Sequence, residues 1–470
     1  MNIRSSQHYD LAVVGAGSAG FAAAIAAAEL GAEVALIGAG MIGGTCVNTG
    51  CIPSKALIRA AESLHQIRAA SRFSGITGSA TLADWRVVLR QKDELVGSLR
   101  ERKYSGLLPA YDTLHYIEGK ARLAKNGVSI KGTTLEAEKL VIATGASPAL
   151  PAIAGIGDVP CLTSTTALVL DALPRSLLVI GGGSVGCELG QMFARFGVRV
   201  TIIDLLPILS SGEPEISRVL AGSLRGEGIK IQEGVRLSAI RKGTHGIVAD
   251  FSADGRHETL ATEAVLVATG RRPNTADFGL AEAEVLLRPN GGIAVDEHMR
   301  TTRPGTYAAG DVTGDEQFVY MAAHGGRIAA LNALNGDGLC YDNRGMPRVV
   351  FTDPQAASAG LTEAAARAAG YAVQSAMIDL DQVARALAAR DTRGLVKLVA
   401  EAGTGKLLGA HILAPEGADS IQTAVLAIRH DMTVEQLGAA IFPYLTTVEG
   451  LKLAAQAFTK DLTKLSCCAG

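Results

Sequence analysis

Two stretches of this chain run strand, glycine-rich turn, helix, strand. The first goes from Asp10 to Val14, through Gly15-Ala16-Gly17-Ser18-Ala19-Gly20, along an alanine-rich helix from Phe21 to Leu30 closed by Gly31, and into a strand from Glu33 to Ile37. The second goes from Ser176 to Ile180, through Gly181-Gly182-Gly183-Ser184-Val185-Gly186, along a helix to Phe196, past Gly197, and into Val198 to Ile203. One G-x-G-x-x-G is weak evidence for a fold. Two of them, each between a buried-type strand and a helix, predict two parallel-sheet dinucleotide-binding units. The glycines have mechanical reasons: a tight turn, close approach of backbone N–H groups to a pyrophosphate, and close packing of helix on strand.

The duplication extends further. Val141-Ile142-Ala143-Thr144-Gly145 matches Val265-Leu266-Val267-Ala268-Thr269-Gly270, and another strand ends in Thr306-Tyr307-Ala308-Ala309-Gly310-Asp311. At 470 residues the chain is too long for one ordinary core. The expected class is α/β, with one nucleotide domain inserted in the other and a C-terminal α+β domain. The boundaries fall at 1–147 and 272–342 for the first nucleotide domain, 148–271 for the second, and 343–470 for the last. In that last part short strands (Arg348 to Phe351, Leu395 to Ala400, Leu407 to Leu413) alternate with helices (Thr362 to Ala369, Asp419 to His430, Thr433 to Ala439).

Composition narrows the function classes. A formal net charge of -2 gives no broad basic surface for nucleic acid or anionic lipid. The first ten residues lack an apolar signal core, and the apolar run Phe21 to Ala28 is too short to span a bilayer. The expectation is a soluble cytoplasmic protein with no membrane insertion. Because the first strand begins within a few residues, no separate N-terminal metal-binding domain is expected either.

The seven cysteines are Cys46, Cys51, Cys161, Cys187, Cys340, Cys467 and Cys468. Cys46 and Cys51 lie in Gly43-Gly44-Thr45-Cys46-Val47-Asn48-Thr49-Gly50-Cys51-Ile52-Pro53-Ser54-Lys55, shortly after the first glycine turn. A close cysteine pair in a cytosolic protein is redox-active or metal-binding more often than structural. Lys55 is a candidate cation for lowering a thiolate pKa there. Cys161, Cys187 and Cys340 read as buried small hydrophobes. Cys467 and Cys468 are adjacent, which disfavours a relaxed disulfide between them, and thiolates are preferred ligands of soft metal ions.

With these motifs the chain resembles the flavin-dependent pyridine nucleotide–disulfide oxidoreductases along nearly its whole length. The resemblance implies FAD at the first fingerprint, on Gly15, Gly17, Ser18 and Gly20. It adds Gly44, Thr45, Thr144, Gly145, Gly310 and Asp311 to the cofactor contacts. It implies NADH or NADPH at the second fingerprint, on Gly181, Gly183, Gly186 and Asp204, with Gly270 nearby. The last domain would make a homodimer. Lys55 and Glu188 match the family's ion pair beside the flavin, Cys51 matches the cysteine facing it, and Cys46 the one that meets substrate.

The C-terminal region selects a branch. Disulfide reductases of this kind carry a histidine followed five residues later by a glutamate, contributed by the partner subunit. Here Glu449 remains, but Tyr444 stands in the histidine's place. A tyrosine, with a pKa near 10, shuttles protons poorly at neutral pH, so a disulfide substrate is disfavoured. Tyr444, the adjacent thiols Cys467 and Cys468, the run Gly450 to Gln456, and Tyr104 after Arg102-Lys103 together resemble the mercuric reductases. That implies capture of Hg(II), presented as thiol complexes, by Cys467 and Cys468 of one subunit. Transfer to Cys46 and Cys51 of the other follows, with Tyr104 and Tyr444 flanking the path. The competing readings are a dihydrolipoamide dehydrogenase-like enzyme and a flavoprotein that sequesters soft metal without turnover.

Two positions depart from the pattern. The residue ending the second strand of each fingerprint usually supplies a carboxylate to a ribose. It is Gly38 in the first copy and Asp204 in the second. The FAD ribose therefore lacks its usual partner. Asp204 suits a free 2′-hydroxyl, repels a 2′-phosphate, and is followed by no arginine in Leu205 to Leu209, which favours NADH.

Overall fold

The computed structural model describes residues 8–244, 246–253 and 255–464. The chain forms two compact units. One combines the N-terminal segment through Ala56 with Arg86–Ala149 and Gly270–Asn343, and the other combines Leu57–Trp85 with Leu150–Thr269 and the segment from Arg344 onward.

The first unit is organised on strands β1 (Tyr9–Val14) and β2 (Val34–Gly38), joined by helix α1 (Ser18–Ala28). β1 pairs in parallel with β2, Leu11 opposite Val34 through Val14 opposite Ile37, and on its other edge with Thr133–Ile142. Leu11, Val13, Val34 and Leu36 pack in one cluster, while Ala12, Val14, Ala35 and Ile37 pack in another. A strand covered on both faces reads as a continuous apolar run, which is why Leu11 to Val14 shows no alternation. α1 lies against the helix Val319–Asn335, and both carry small residues at the crossing. A Cβ at Gly326 would fall 2.1 Å from the Ala19 carbonyl oxygen. α1 begins at Ser18, three residues before the start expected from sequence, so Gly20 sits in its first turn.

The second unit contains a parallel sheet in the order Lys230–Gln232, Arg199–Ile203, Ser176–Ile180, Ala264–Val267, with the helix Ser184–Arg195 following the second glycine turn. A three-stranded antiparallel sheet, Arg236–Gly243 with Gly246–Ala253 and Arg256–Thr262, is inserted in sequence between the strands Lys230–Gln232 and Ala264–Val267. The region beyond Arg344 builds a five-stranded antiparallel sheet in the order Pro347–Val350, Gln355–Gly360, Leu407–Ala414, Leu395–Glu401, Val373–Asp379. The helices Gly417–Arg429 and Glu449–Gln456 bury their apolar residues in the same cluster as this sheet. Among the described residues no helix is long and apolar enough to cross a membrane.

Candidate active site

In the first unit the cysteine motif abuts the glycine turn. Gly43 and Gly44 have φ of +92° and +64°, the left-handed region where glycine carries no Cβ penalty. They open helix α2 (Gly44–Thr49), which holds Cys46. A Cβ at Gly44 would fall 2.6 Å from the Gly17 Cα, so the start of α2 and the dinucleotide turn touch backbone to backbone. Gly50 then breaks the helix, and Cys51 is the first residue of α3 (Cys51–Arg68). A side chain at Gly50 would crowd the Thr45 carbonyl at 2.9 Å and the Cys46 Cα at 3.3 Å. The missing side chain is what lets α3 start against α2.

Cys46 and Cys51 are both half-buried and in the dithiol form. Cys46 is hydrogen-bonded to Cys51, and that bond, together with burial and the negative charge of Cys51, pushes the Cys46 thiol well up, while Lys55 works in the other direction. Cys51 stands at a helix start, where unpaired backbone N–H groups favour negative charge. The two thiols are thus hydrogen-bonded neighbours, and loss of the Cys46 proton is opposed by that bond and by burial.

Tyr104 joins this group. Its ring meets Phe21 of α1 edge-on at 4.9 Å, and a Cβ at Gly43 would fall 3.1 Å from it. Burial raises the Tyr104 hydroxyl, a hydrogen bond with Ser18 works against that, and negative charge on Cys46 and Cys51 adds to the rise. Ser18, expected only as a cofactor contact, therefore also fixes a tyrosine beside the thiols.

Cβ positions test whether the first turn fits a dinucleotide. At Gly15, with φ +122°, a Cβ would meet the Ala143 carbonyl at 2.0 Å, and at Gly20 it would meet the Gly15 carbonyl at 1.6 Å. At Gly17 its nearest neighbour would be the Gly44 Cα at 3.7 Å. The outer glycines close the turn and the middle one leaves room in front of backbone amides, as a pyrophosphate requires. On the same unit, Thr144 Oγ1 donates to the Asn274 carbonyl at 2.8 Å, and Gly145 turns with φ +72°. Gly310 turns with φ +77°, and burial raises the carboxyl of Asp311 against the pull of Arg271, whose Nε lies 3.7 Å away. Gly270, with φ +115°, also belongs to this unit.

The second unit repeats the cradle. A Cβ at Gly181 would meet the Ala268 carbonyl at 2.6 Å, one at Gly186 the Gly181 carbonyl at 1.9 Å, and one at Gly183 nothing within 4 Å. Asp204 Oδ2 accepts from the Gly182 N–H at 2.6 Å and Oδ1 from the Leu206 N–H at 2.9 Å. These bonds hold the carboxylate at the rim of the turn and leave it acceptor capacity for a hydroxyl. Glu188 is buried and accepts from the Phe351 N–H at 2.8 Å. Tyr444 is 47% exposed, and Glu449 is buried, its carboxyl raised first by that burial.

Thr45, Cys46, Cys51, Lys55 and Tyr104 thus share the first unit, and Glu188, Tyr444 and Glu449 the second. Cys467 and Cys468 lie outside the described residues.

A family model described as pyridine nucleotide-disulphide oxidoreductase matches residues 9–327, and the dimerisation domain of the same family matches residues 346–455. A mercuric reductase of Streptomyces lividans is 46% identical over 468 residues, covering 98% of each chain. One from Shigella flexneri is 44% identical over 472 residues, covering 99% of this chain and 84% of that one. The chain belongs to the mercuric reductases. It is accordingly an oxidoreductase of two nucleotide domains and a dimerisation domain, using FAD and NAD(P)H. Among solved structures it resembles the HOCl-induced flavoprotein disulfide reductase RclA from Escherichia coli in its Cu(II) complex. The TM-score is 0.85 at 29% identity, covering 97% of this chain and 100% of that one.

Sequence reasoning missed several residues of this mercuric reductase site. Asn48 donates to the Ile42 and Gly44 carbonyls at 2.9 and 2.8 Å and accepts from Arg100 at 3.1 Å, tying down the loop that carries Cys46. Its place inside the cysteine motif was the available signal. Asn274 returns a bond to the Thr144 carbonyl at 2.9 Å, and it closely follows Gly270 in sequence. One expectation needs correction. Cys187 is fully buried and donates to the Gly182 carbonyl, but Cys161 is half-buried and Cys340 is exposed. Cys340 lies in the irregular segment after Val319–Asn335, its sulfur 4.0 Å from His298 Nδ1.

Proposed function

We propose that this chain reduces Hg(II) to Hg(0) on Cys46 and Cys51, and that the two thiols beside the first glycine turn are the reducing seat. The observation that carries the reading is their shared hydrogen bond, placed next to Tyr104 and against Gly17. Bound FAD supplies the electrons, taken two at a time from NAD(P)H. Residues Gly15 to Gly20 hold its pyrophosphate, Asn48 and Arg100 fix the cysteine loop, and Lys55 favours the thiolate form. Cys46 meets the incoming Hg(II) thiol complex and Cys51 completes a two-sulfur site, so two solution thiolates leave as two protein thiolates bind. The metal then takes two electrons, departs as Hg(0), and leaves both sulfurs reduced. The experiment is anaerobic NAD(P)H oxidation with excess thiol, compared with and without Hg(II), and against lipoamide and glutathione disulfide. Mercury-dependent oxidation with no disulfide turnover is expected, whereas lipoamide turnover with no response to Hg(II) overturns the reading.

Three finer points belong to the same proposal. The segments 1–147 with 272–342, 148–271 and 343–470 act as the FAD, nicotinamide and dimerisation domains. Cys467 and Cys468 of one subunit pass Hg(II) to the partner's dithiol, with Tyr104 and Tyr444 beside the path, while Lys55 and Glu188 serve the flavin rather than the metal. Replacing both tail cysteines by alanine is expected to lower kcat/KM for bulky Hg(II)–thiol complexes about tenfold, because a tethered ligand pair raises the local metal concentration. Flavin reduction by NAD(P)H, followed by stopped flow, stays unchanged. The chain uses NADH well, because Asp204 repels a 2′-phosphate. Asp204→Asn is expected to shift the ratio of kcat/KM values toward NADPH about tenfold, and a wild type already tenfold better with NADPH contradicts this.

A further inference from the structure

The two glycine turns give the chain an internal comparison. In the second, the strand ends in Asp204, whose carboxylate reaches the N–H of Gly182, the residue after the first glycine. In the first, the strand ends in Gly38, and the residue after the first glycine is Ala16. The space is not vacant. A Cβ built on Gly38 would fall 2.7 Å from the Tyr116 hydroxyl oxygen, 2.9 Å from the Ala16 Cβ and 3.0 Å from Tyr116 Cε2. A phenol hydroxyl therefore occupies the space that a side chain at position 38 would enter, beside Ala16 of the turn.

Tyr116 arrives there from strand β3 (Leu114–Glu118), which pairs in parallel with β2, Leu36 opposite Tyr116 and Gly38 opposite Glu118. Residues two apart on a strand share a face, so Tyr116 and Glu118 project on the same side as Gly38 would. Glu118 is exposed, and Tyr116 is half-buried beside it. Burial, and then the negative charge of Glu118, raise the Tyr116 hydroxyl, so it carries a proton to donate. Glycine at position 38 is what makes room for the ring.

We infer that Tyr116, with Glu118 beside it, supplies from the third strand the hydroxyl-binding group that Gly38 removes from the second, and so holds the adenosine ribose of FAD. This rests on the reading that the first turn binds FAD. The test is affinity rather than turnover: apoprotein is refilled with FAD or with its 2′-deoxyadenosine analogue, and binding is followed by flavin fluorescence quenching. Wild type is expected to prefer FAD by about tenfold, the usual worth of one well-placed hydrogen bond. Tyr116→Phe is expected to bring that preference close to unity, and Glu118→Gln to reduce it by a smaller factor. A merely structural tyrosine would weaken both ligands alike. Preference intact in Tyr116→Phe, or equal binding of both ligands by wild type, overturns the inference. A wild type that takes up neither ligand overturns the site reading beneath it.

Discussion

Cys46→Ala is expected to lower Hg(II)-dependent NAD(P)H oxidation on the order of a thousandfold or more, with flavin still bound. The magnitude follows from the two thiols acting as a unit, since removing one member of a catalytic unit costs about as much as removing all. Cys46 and Cys51 are hydrogen-bonded neighbours, so either variant leaves a single sulfur facing a soft metal that takes two. Cys51→Ala and the double variant should accordingly fall to a similar floor, and their losses should not multiply. The measurement is anaerobic oxidation in excess thiol for all three variants, with visible flavin absorbance as the control for folding. A Cys46→Ala enzyme within tenfold of wild type would sink the assignment.

Gly20→Ala has the second large effect, of a different kind. Its Cβ would lie 1.6 Å from the Gly15 carbonyl, a contact that only backbone movement can relieve. Overpacking of this sort costs about 1–3 kcal/mol or more, and here the cost falls on the turn itself. The expected product is protein that purifies without flavin and melts at lower temperature. Gly183→Ala is the contrast, because its Cβ meets nothing within 4 Å. That variant should fold, keep its flavin and show a raised KM for the nicotinamide nucleotide. Equal Tm and equal flavin content in Gly20→Ala and wild type would refute the steric argument.

Much of this was legible in the sequence, for identifiable reasons. The glycine turns were readable because backbone geometry there tolerates no substitute, and the cysteine pair because thiols close to a nucleotide turn have few other uses. Gln355–Gly360 and Val373–Asp379 were not, since Gln355-Ala356-Ala357-Ser358-Ala359-Gly360 has little strand propensity and becomes a strand by pairing with Leu407–Ala414. The exposure of Cys340 was equally hidden, because residue type alone says nothing of which irregular segment stays uncovered. Tyr116 escaped notice for a third reason. Its relevance depends on a strand register, Gly38 opposite Glu118, that links residues about eighty positions apart.

The backbone contact between Gly44 and Gly17 also ties the two elements together mechanically. Each glycine forms part of the other's surface, so neither the turn nor the start of the cysteine helix can shift without displacing its neighbour. A substitution that opens the dinucleotide turn is therefore expected to disturb the setting of Cys46 as well.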